Sequence, residues 1–158
     1  MKAAIVVEAG ETPIYGDFPE PVPALGEVQV TVSAAALSNL AKSRASGTHY
    51  SSSAQPPFVV GIDGVGRLED GRRVYFVLPR APFGSMAEKA VVRPAQSVSL
   101  PDDLDDVTAA AIANPGMSAW AALKERAKFT AGETVLVNGA TGTAGRMAVQ
   151  IAKYMGAR

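Results

Sequence analysis

A glycine-rich turn close to the end of the chain restricts the fold more than any other feature. The run Thr134-Val-Leu-Val-Asn138 is apolar and rich in β-formers, and it leads into Gly139-Ala-Thr-Gly142-Thr-Ala-Gly145. A pattern with helical spacing follows the glycines. A strand that turns into a helix through glycines aims unpaired backbone N–H groups at an anion, and it lets a pyrophosphate approach the main chain closely. The sequence therefore predicts the first strand–turn–helix unit of a dinucleotide-binding domain.

The turn matches the dinucleotide fingerprint only in part. The positions of Gly-x-Gly-x-x-Gly correspond to Ala140, Gly142 and Gly145, so alanine replaces the first glycine. Gly156 stands where a glycine that ends the helix is expected. The predicted apolar helix face consists of Ala144, Ala148, Ile151, Ala152 and Met155. A turn that only packs a strand against a helix remains the alternative. The residue that chooses NAD or NADP lies about twenty residues beyond the glycines, past Arg158.

Composition excludes several classes of partner. Of the 158 residues, 47% are hydrophobic, and 15 Lys and Arg balance 15 Asp and Glu, so no basic field predicts nucleic-acid binding. The chain has no cysteine, which excludes disulfides and thiolate metal ligands and fits a reducing compartment. The apolar run Ala3–Val7 is too short for a signal peptide or a membrane span. We therefore expect a cytoplasmic protein without a membrane partner.

The first hundred residues have the pattern of a small β-barrel. Short apolar runs alternate with Pro and Gly punctuation, and the eleven prolines are concentrated before residue 102. The predicted strands are Ala3–Val7, Val28–Val32, Phe58–Val60, Arg73–Leu78 and Ala87–Val92. Helices are predicted over Asp102–Ala113 and Ser118–Lys128, with Asp102 or Asp103 as the first cap. The serine-rich residues 51–57 are predicted to form a mobile loop.

The order of these features resembles the zinc-independent quinone oxidoreductases of the medium-chain dehydrogenase/reductase superfamily. The landmarks are Gly26-Glu-Val-Gln-Val30, Ser46-Gly47, Gly61-Ile-Asp63, Gly64-Val-Gly66, Gly84-Ser-Met-Ala-Glu88, Pro115-Gly-Met-Ser-Ala-Trp120 and Gly139–Gly145. The resemblance implies a mainly β GroES-like barrel followed by the first βα unit of a truncated Rossmann (α/β) domain. It implies a substrate domain over residues 1–115, and a linking helix with an incomplete dinucleotide-binding domain over 116–158.

The resemblance also provides a test for zinc. Zinc-dependent alcohol dehydrogenases of the superfamily bind the metal through a cysteine, a histidine and a second cysteine, and Ser38, Ile62 and Asn114 stand at those positions. A hydroxyl, an alkyl chain and a neutral amide do not replace thiolates and imidazole as zinc donors. We therefore expect no metal site. Without a Lewis acid, the chemistry is expected to use substrates that accept hydride readily, which are quinones and activated enones.

The resemblance places the candidate catalytic residues around one strand-to-helix turn. Where the family has an Asn-Pro-x-Asp stretch, this chain has Ser38-Asn39-Leu40-Ala41, so Ser38 and Asn39 are the candidate donors to a substrate carbonyl or to the nicotinamide ribose. The alternative is that both side chains only satisfy backbone groups. Tyr50 lies near a tyrosine that lines the family's substrate cleft, and a phenol can stack on a quinone and donate a proton. An ordinary loop aromatic is the alternative. We interpret His49 as non-catalytic and Asp63 as structural.

The cofactor-binding candidates fall into two groups. Asn114 and Ser118 lie on the helix that, by resemblance, runs along the cofactor cleft. The other group is the glycine turn itself, which comprises Gly139, Ala140, Thr141, Gly142, Thr143, Ala144 and Gly145. The resemblance implies NADPH as the cofactor, and NADH is not excluded.

The predicted function is hydride transfer from NADP(H) to a quinone or activated enone. An enoyl-thioester reductase of the same superfamily and a non-catalytic GroES-like interaction module remain alternatives. The resemblance implies a reductase of about twice this length that forms a homodimer. Val135–Val137 would have no neighbouring strands in these 158 residues. We therefore predict that residues 1–158 alone bind the nucleotide weakly and do not turn over.

Overall fold

The computed structural model describes residues 1–52 and 55–158, which form two compact units, Met1–Ala110 and Ala111–Arg158. Ser53 and Ala54, inside the predicted loop 51–57, lie outside the described residues. The strands of the first unit are β1 (Lys2–Val6), β2 (Ile14–Asp17), β3 (Val28–Ala35), β4 (Phe58–Val59), β5 (Asp63–Leu68), β6 (Arg73–Val77), β7 (Lys89–Val92) and β8 (Ser97–Ser99).

The strands form two antiparallel sheets with the orders β2-β1-β4 and β7-β3-β5-β6-β8. The chain between β6 and β7 joins the two sheets. Ala4 N donates to Met86 O at 2.8 Å, Met86 N donates to Val60 O at 2.9 Å, and Ala3 bridges Ala87. The first unit is therefore the mainly β GroES-like barrel that the sequence predicted.

Alternation along the strands fills the barrel core. In β6 the side chains of Val74 and Phe76 are buried while their neighbours are half-buried, as the two-residue period of a strand requires. They pack in one cluster with Val30, Ala90 and Val92. Complete burial of one Val or Phe side chain contributes roughly 1.5–3 kcal/mol. All five predicted strands are confirmed, because β-branched residues that alternate in this way are a direct signal of half-buried strands.

The predicted strands omit β5, which lies at the centre of the larger sheet. Its sequence contains Gly64 and Gly66, which are more typical of a turn. A Cβ at Gly66 would overlap the carbonyl oxygen of Thr31, and one at Gly64 would lie 2.7 Å from Ala34 O. The glycines are therefore required by the close approach of β3 to β5 around the irregularity between Val32 and Ala34. The short strands β2 and β8, at sheet edges, were also missed.

The helices begin and end at different residues from those predicted. They are α1 (Asn39–Ala45), α2 (Asp106–Trp120) and α3 (Thr143–Tyr154), with a π-helix over Ala121–Arg126 and a 3₁₀ turn over Pro94–Gln96. The two predicted helices around Pro115 are one continuous helix, because proline removes a single backbone hydrogen bond that the rest of α2 tolerates. The predicted cap was also wrong: the Asp105 carboxylate accepts the Thr108 N–H at 2.9 Å.

In the second unit the helix after the glycine turn is confirmed. Gly156 has a positive φ of 88°, and the N–H groups of Gly156 and Ala157 donate to Lys153 O and Ala152 O. These two backbone hydrogen bonds form a Schellman motif, which ends α3 at the predicted glycine. Of the predicted apolar face, Ala144 is exposed and the other four residues are buried or half-buried.

The predicted strand Thr134–Asn138 is not observed as a paired strand. No strand within the described ranges pairs with these residues, and Leu136 is 95% exposed. A strand needs a hydrogen-bonded neighbour, and the second unit contributes none from its described part. This agrees with the expectation that Val135–Val137 lack neighbours. Among the described residues, none of the helices is long and apolar enough to cross a bilayer.

We predict that Gly66→Ala lowers the free energy of unfolding by about 1–3 kcal/mol, because its methyl group must displace β3 from β5. Urea denaturation followed by circular dichroism measures the change. Gly16→Ala is the matched control in a strand, since its nearest contact is the flexible Ile5 Cδ1 at 3.4 Å. Equal stability of the two variants would contradict the assigned close approach.

Candidate functional site

Ser38 caps helix α1 at the predicted strand-to-helix turn. Its backbone is extended, with φ −78° and ψ 162°, and its Oγ accepts the Ala41 N–H at 3.1 Å. This is the backbone-satisfying arrangement that the sequence left open for Ser38. The hydroxyl proton is not used by that bond, so Ser38 Oγ can still donate to a carbonyl oxygen.

Asn39 begins helix α1, and Tyr50 follows the helix along the chain. Asn39 is the first residue of α1 and is exposed. Tyr50 is 96% exposed, and its ring lies 4.3 Å from the His49 ring, measured between centroids. His49 Nδ1 lies 2.8 Å from Ser51 Oγ. The structure gives no contact that joins Ser38, Asn39 and Tyr50, and their catalytic roles stay predictions.

A cavity of about 110 Å³ lies beside α1, within the first unit. One face of the helix lines it through Ala41, Arg44 and Ala45, which have helical i, i+3, i+4 spacing. Chain segments on the other sides include Phe58–Ile62 and residues 78, 79 and 81–83. Sequence reasoning missed Arg44, because the cavity exists only once the chain before Gly84 folds across α1.

Asp63 is a buried carboxyl group at the start of β5. Its side chain is 1% exposed, its Oδ2 accepts the Tyr75 hydroxyl proton at 2.8 Å, and its Oδ1 has no partner among the described residues. Burial raises the pKa of Asp63, and the Tyr75 hydrogen bond opposes this shift more weakly. Burial and the neighbouring Asp63 carboxyl raise the pKa of the Tyr75 phenol well above its usual value. The predicted structural role of Asp63 fits this pairing.

Ser38, Ile62 and Asn114, which the resemblance places at the dehydrogenase zinc positions, carry a hydroxyl, an alkyl chain and an amide, and the expected absence of zinc stays a prediction. Ile62 is buried with an alkyl side chain, and Ser38 uses its oxygen to cap α1. The described residues contain no group of three or more His, Cys, Asp or Glu side chains arranged to hold a metal ion.

The candidate residues on α2 are one helical turn apart. Ser118 is exposed, and its Oγ donates to Asn114 O at 3.3 Å, while Asn114 is half-buried. A serine hydroxyl bonded to the carbonyl four residues earlier is common inside helices. Their contact with a cofactor stays a prediction.

The glycine turn presents an open helix N-terminus. Gly139 has a positive φ of 74°, and the Gly142 N–H donates back to Gly139 O at 3.1 Å. Gly142 is the N-cap of α3 and has no side chain to cap it. The N–H groups of Thr143, Ala144 and Gly145 precede the first helical hydrogen bond and therefore have no intrahelical acceptor. Donors in this arrangement, at the positive end of a helix, suit a phosphate.

Two glycines of the turn have different steric roles. A Cβ at Gly145 would overlap Gly139 O and lie 2.7 Å from Ala140 Cα, so Gly145 is required where α3 packs on the turn. A Cβ at Gly142 would meet nothing closer than Gly139 O at 3.6 Å, which leaves the outer side of the turn open. The left-handed position of the turn is Gly139, so the alanine at 140 does not remove the glycine that the bend needs.

Several known quinone reductases and oxidoreductases are similar to this chain over nearly its whole length. No family model matches the chain. The probable NADPH-dependent quinone reductase tdiC of Emericella nidulans is 32% identical over 189 residues, covering 99% of this chain and 53% of the relative. Human quinone oxidoreductase is 32% identical, covering 99% of this chain and 50% of the relative. The quinone oxidoreductase of Thermus thermophilus, also solved in complex with NADPH, has a TM-score of 0.90 and 36% identity over 100% of this chain and 52% of that chain.

The barrel and the partial βα unit therefore define a member of the medium-chain dehydrogenase/reductase fold class. Within that class, the homologues of this chain are quinone oxidoreductases that cover almost all of it, as the resemblance in the sequence predicted. The chain spans about half the length of the curated relatives that it matches.

We predict that Asp63→Asn removes a loss of stability that the parent chain shows as pH rises. Because the folded-state pKa is raised, the folded chain keeps a proton that the unfolded chain releases above about pH 3.8, so stability falls as pH rises through this window. Asparagine keeps an acceptor for Tyr75 and carries no charge. The variant should therefore be more stable than the parent at pH 7, and the difference should diminish toward pH 4.

Thermal unfolding between pH 4 and 8 measures this dependence. Asp17→Asn is the control of opposite sign, since its hydrogen bond and ion pair with Lys2 lower the Asp17 pKa and add stability as pH rises. A constant difference between Asp63→Asn and the parent across the range would contradict a raised pKa of the buried Asp63.

We also predict that Gly145→Ala loosens α3, because its methyl group overlaps Gly139 O. Hydrogen exchange of the Ala148 and Ile151 amides should accelerate by an amount that corresponds to about 1–3 kcal/mol. Gly142→Ala is the control, since the space beside it is open. Similar exchange in the two variants would show that α3 does not pack on the turn as described.

Proposed function

We propose that this chain provides the substrate barrel and the first cofactor-binding turn of a zinc-independent, NADP(H)-dependent reductase that acts on quinones or activated enones. Residues 1–115 form the substrate domain, and residues 116–158 are a linking helix and the beginning of the dinucleotide-binding domain. The open N-terminus of α3, with Gly145 packed on the turn and Gly142 leaving its outer side free, is the observation that carries the proposal.

The residues of the turn fit a nicotinamide dinucleotide. The N–H groups of Thr143, Ala144 and Gly145 would hold a diphosphate, and no side chain at Gly142 would block its approach. When bound, the cofactor supplies a hydride to an electron-poor carbon. The relatives named for NADPH support NADP(H) over NAD(H).

The chain's own contribution to the reaction is binding and electrostatic stabilisation. A quinone or enone gains negative charge on its oxygen as it accepts hydride, so a hydroxyl donor aimed at that oxygen lowers the barrier. Ser38 Oγ has a free proton for this purpose, and the exposed Tyr50 phenol is the second candidate. Zinc has no role in this mechanism, because Ser38, Ile62 and Asn114 replace its donors.

The remaining parts of the proposal concern assembly and location. The longer reductase is a homodimer, as the resemblance to the family implies. The cysteine-free composition supports a cytoplasmic location.

Nucleotide binding and turnover test this function. We expect residues 1–158 to bind NADPH weakly by isothermal titration calorimetry and not to reduce 1,4-benzoquinone. The full reading frame that contains them should bind NADPH and turn over. Gly142→Ala in the longer protein should weaken NADPH binding about tenfold, since one displaced charged hydrogen bond accounts for that loss. Gly16→Ala, in the barrel, should leave it unchanged.

Each alternative outcome has a clear meaning. Tight NADPH binding or turnover by residues 1–158 would contradict the proposed incompleteness. Absence of any NADPH contact in saturation-transfer NMR of the longer protein would favour a non-catalytic barrel. Preference for an enoyl thioester over a quinone would identify the enoyl reductase alternative.

A further inference from the structure

The cavity beside α1 is lined mostly by residues with apolar side chains, together with one cationic residue. Its lining residues are Ala41, Arg44, Ala45, Ser52, Phe58, Val59, Val60, Gly61, Ile62, Leu78, Pro79, Ala81, Pro82 and Phe83. Arg44 is the only charged residue in this set. Among the described residues, no Asp or Glu side chain lines the cavity to neutralise it.

Arg44 is available for a ligand. Its side chain is half-buried, and it forms no ion pair within residues 1–52 and 55–158. By contrast, three other arginines of the barrel, Arg72, Arg73 and Arg80, each form an ion pair with an acidic side chain. A guanidinium beside apolar walls interacts more strongly with an anion than one in open water, because the local dielectric constant is lower.

One lining residue of the cavity belongs to the positions that the resemblance places near the reaction centre. Ile62, which takes the position of the zinc-binding histidine of the dehydrogenases, lines the cavity. Helix α1, whose 41/44/45 face lines it, is capped by Ser38, the candidate donor to the reacting carbonyl. A ligand paired with Arg44, on the helix that Ser38 caps, would therefore share the cavity with Ile62.

We propose that this cavity binds the carboxylate of an oxo-acid substrate, in which Arg44 pairs with the carboxylate and the apolar walls cover the adjoining carbon chain. This inference rests on the proposed function, and it specifies the substrate as a carboxylated quinone or enone. No covalent bond is formed or broken in the cavity. Its role is to orient the acceptor carbonyl of the substrate by holding the opposite end.

The size and charge of the cavity favour a carboxylate over a phosphate. A volume of about 110 Å³ accommodates a carboxylate with a short carbon chain. One arginine matches the single charge of a carboxylate in a two-point pair. A phosphate carries a charge of up to −2 at pH 7, which the single arginine of the described lining neutralises only in part.

The test uses 4-oxopentanoate and its neutral isostere 4-oxopentanamide, each titrated into ¹⁵N-labelled residues 1–158 without any nucleotide. The acid should shift the amide signals of residues 41–45, 59–62, 81 and 83, and 4-oxopentanamide should bind at least about tenfold more weakly. Equal shifts with both compounds, or no shift with the acid, would overturn the proposal.

Two substitutions on the same helix separate Arg44 from general charge. Arg44→Gln should weaken 4-oxopentanoate binding at least about tenfold, and Arg44→Lys should recover part of it. Lys42→Gln removes the same charge from an exposed position that does not line the cavity, and it should bind like the parent. If Lys42→Gln loses as much affinity as Arg44→Gln, the effect is long-range and the proposal fails. Unchanged amide spectra outside the cavity confirm that each variant is folded.

Failure of the carboxylate site can be distinguished from failure of the proposed function. Loss of carboxylate binding together with NADPH-dependent quinone reduction by the longer protein would overturn the subsite and leave the reductase intact. Carboxylate binding without NADPH binding would preserve the site and overturn the reductase.

Discussion

The close pairing of β3 and β5 is the contact on which the rest of the first unit depends. Gly64 and Gly66 let the two strands approach at a distance that any side chain would prevent. β3 continues into the turn that begins α1 at Ser38, and β5 follows directly after Ile62. The backbone contact between these strands therefore sets where the candidate donor and the cavity-lining residues stand. A loss of this contact would move both ends of the proposed substrate site.

The same barrel combines two kinds of buried polar group. One carboxyl oxygen of Asp63 accepts the Tyr75 hydroxyl proton, and the other has no partner among the described residues. Burial of the carboxyl group without a second partner favours its neutral form. Arg44 is only half-buried and lines a cavity without an acidic neighbour in the described lining. The first arrangement holds a carboxyl group inside the fold through one hydrogen bond, and the second leaves a charge available at the surface of a cavity. This difference is the physical reason to assign Asp63 to structure and Arg44 to a ligand.

The second unit illustrates how far local sequence determines local structure. The glycine turn, helix α3 and its Schellman end at Gly156 all form as predicted, because caps, glycines and helical periodicity act over a few neighbouring residues. The segment Thr134–Asn138 has the composition of a strand and no partner in the described part of the chain. A strand is a property of a pair, so composition alone did not decide it.

The sequence by itself determined the barrel class, the five strands with regular alternation, the glycine turn and the absence of zinc-type donors at Ser38, Ile62 and Asn114, because each depends on residue type or short-range spacing. Tertiary structure decided the rest. The glycines of β5 are more typical of a turn, and only the close approach of β3 accounts for them. Helix α2 continues through Pro115, where the sequence predicts two separate helices. The cavity at Arg44 arises from segments that are far apart along the chain, and no local pattern records which distant chain will cover a helix face.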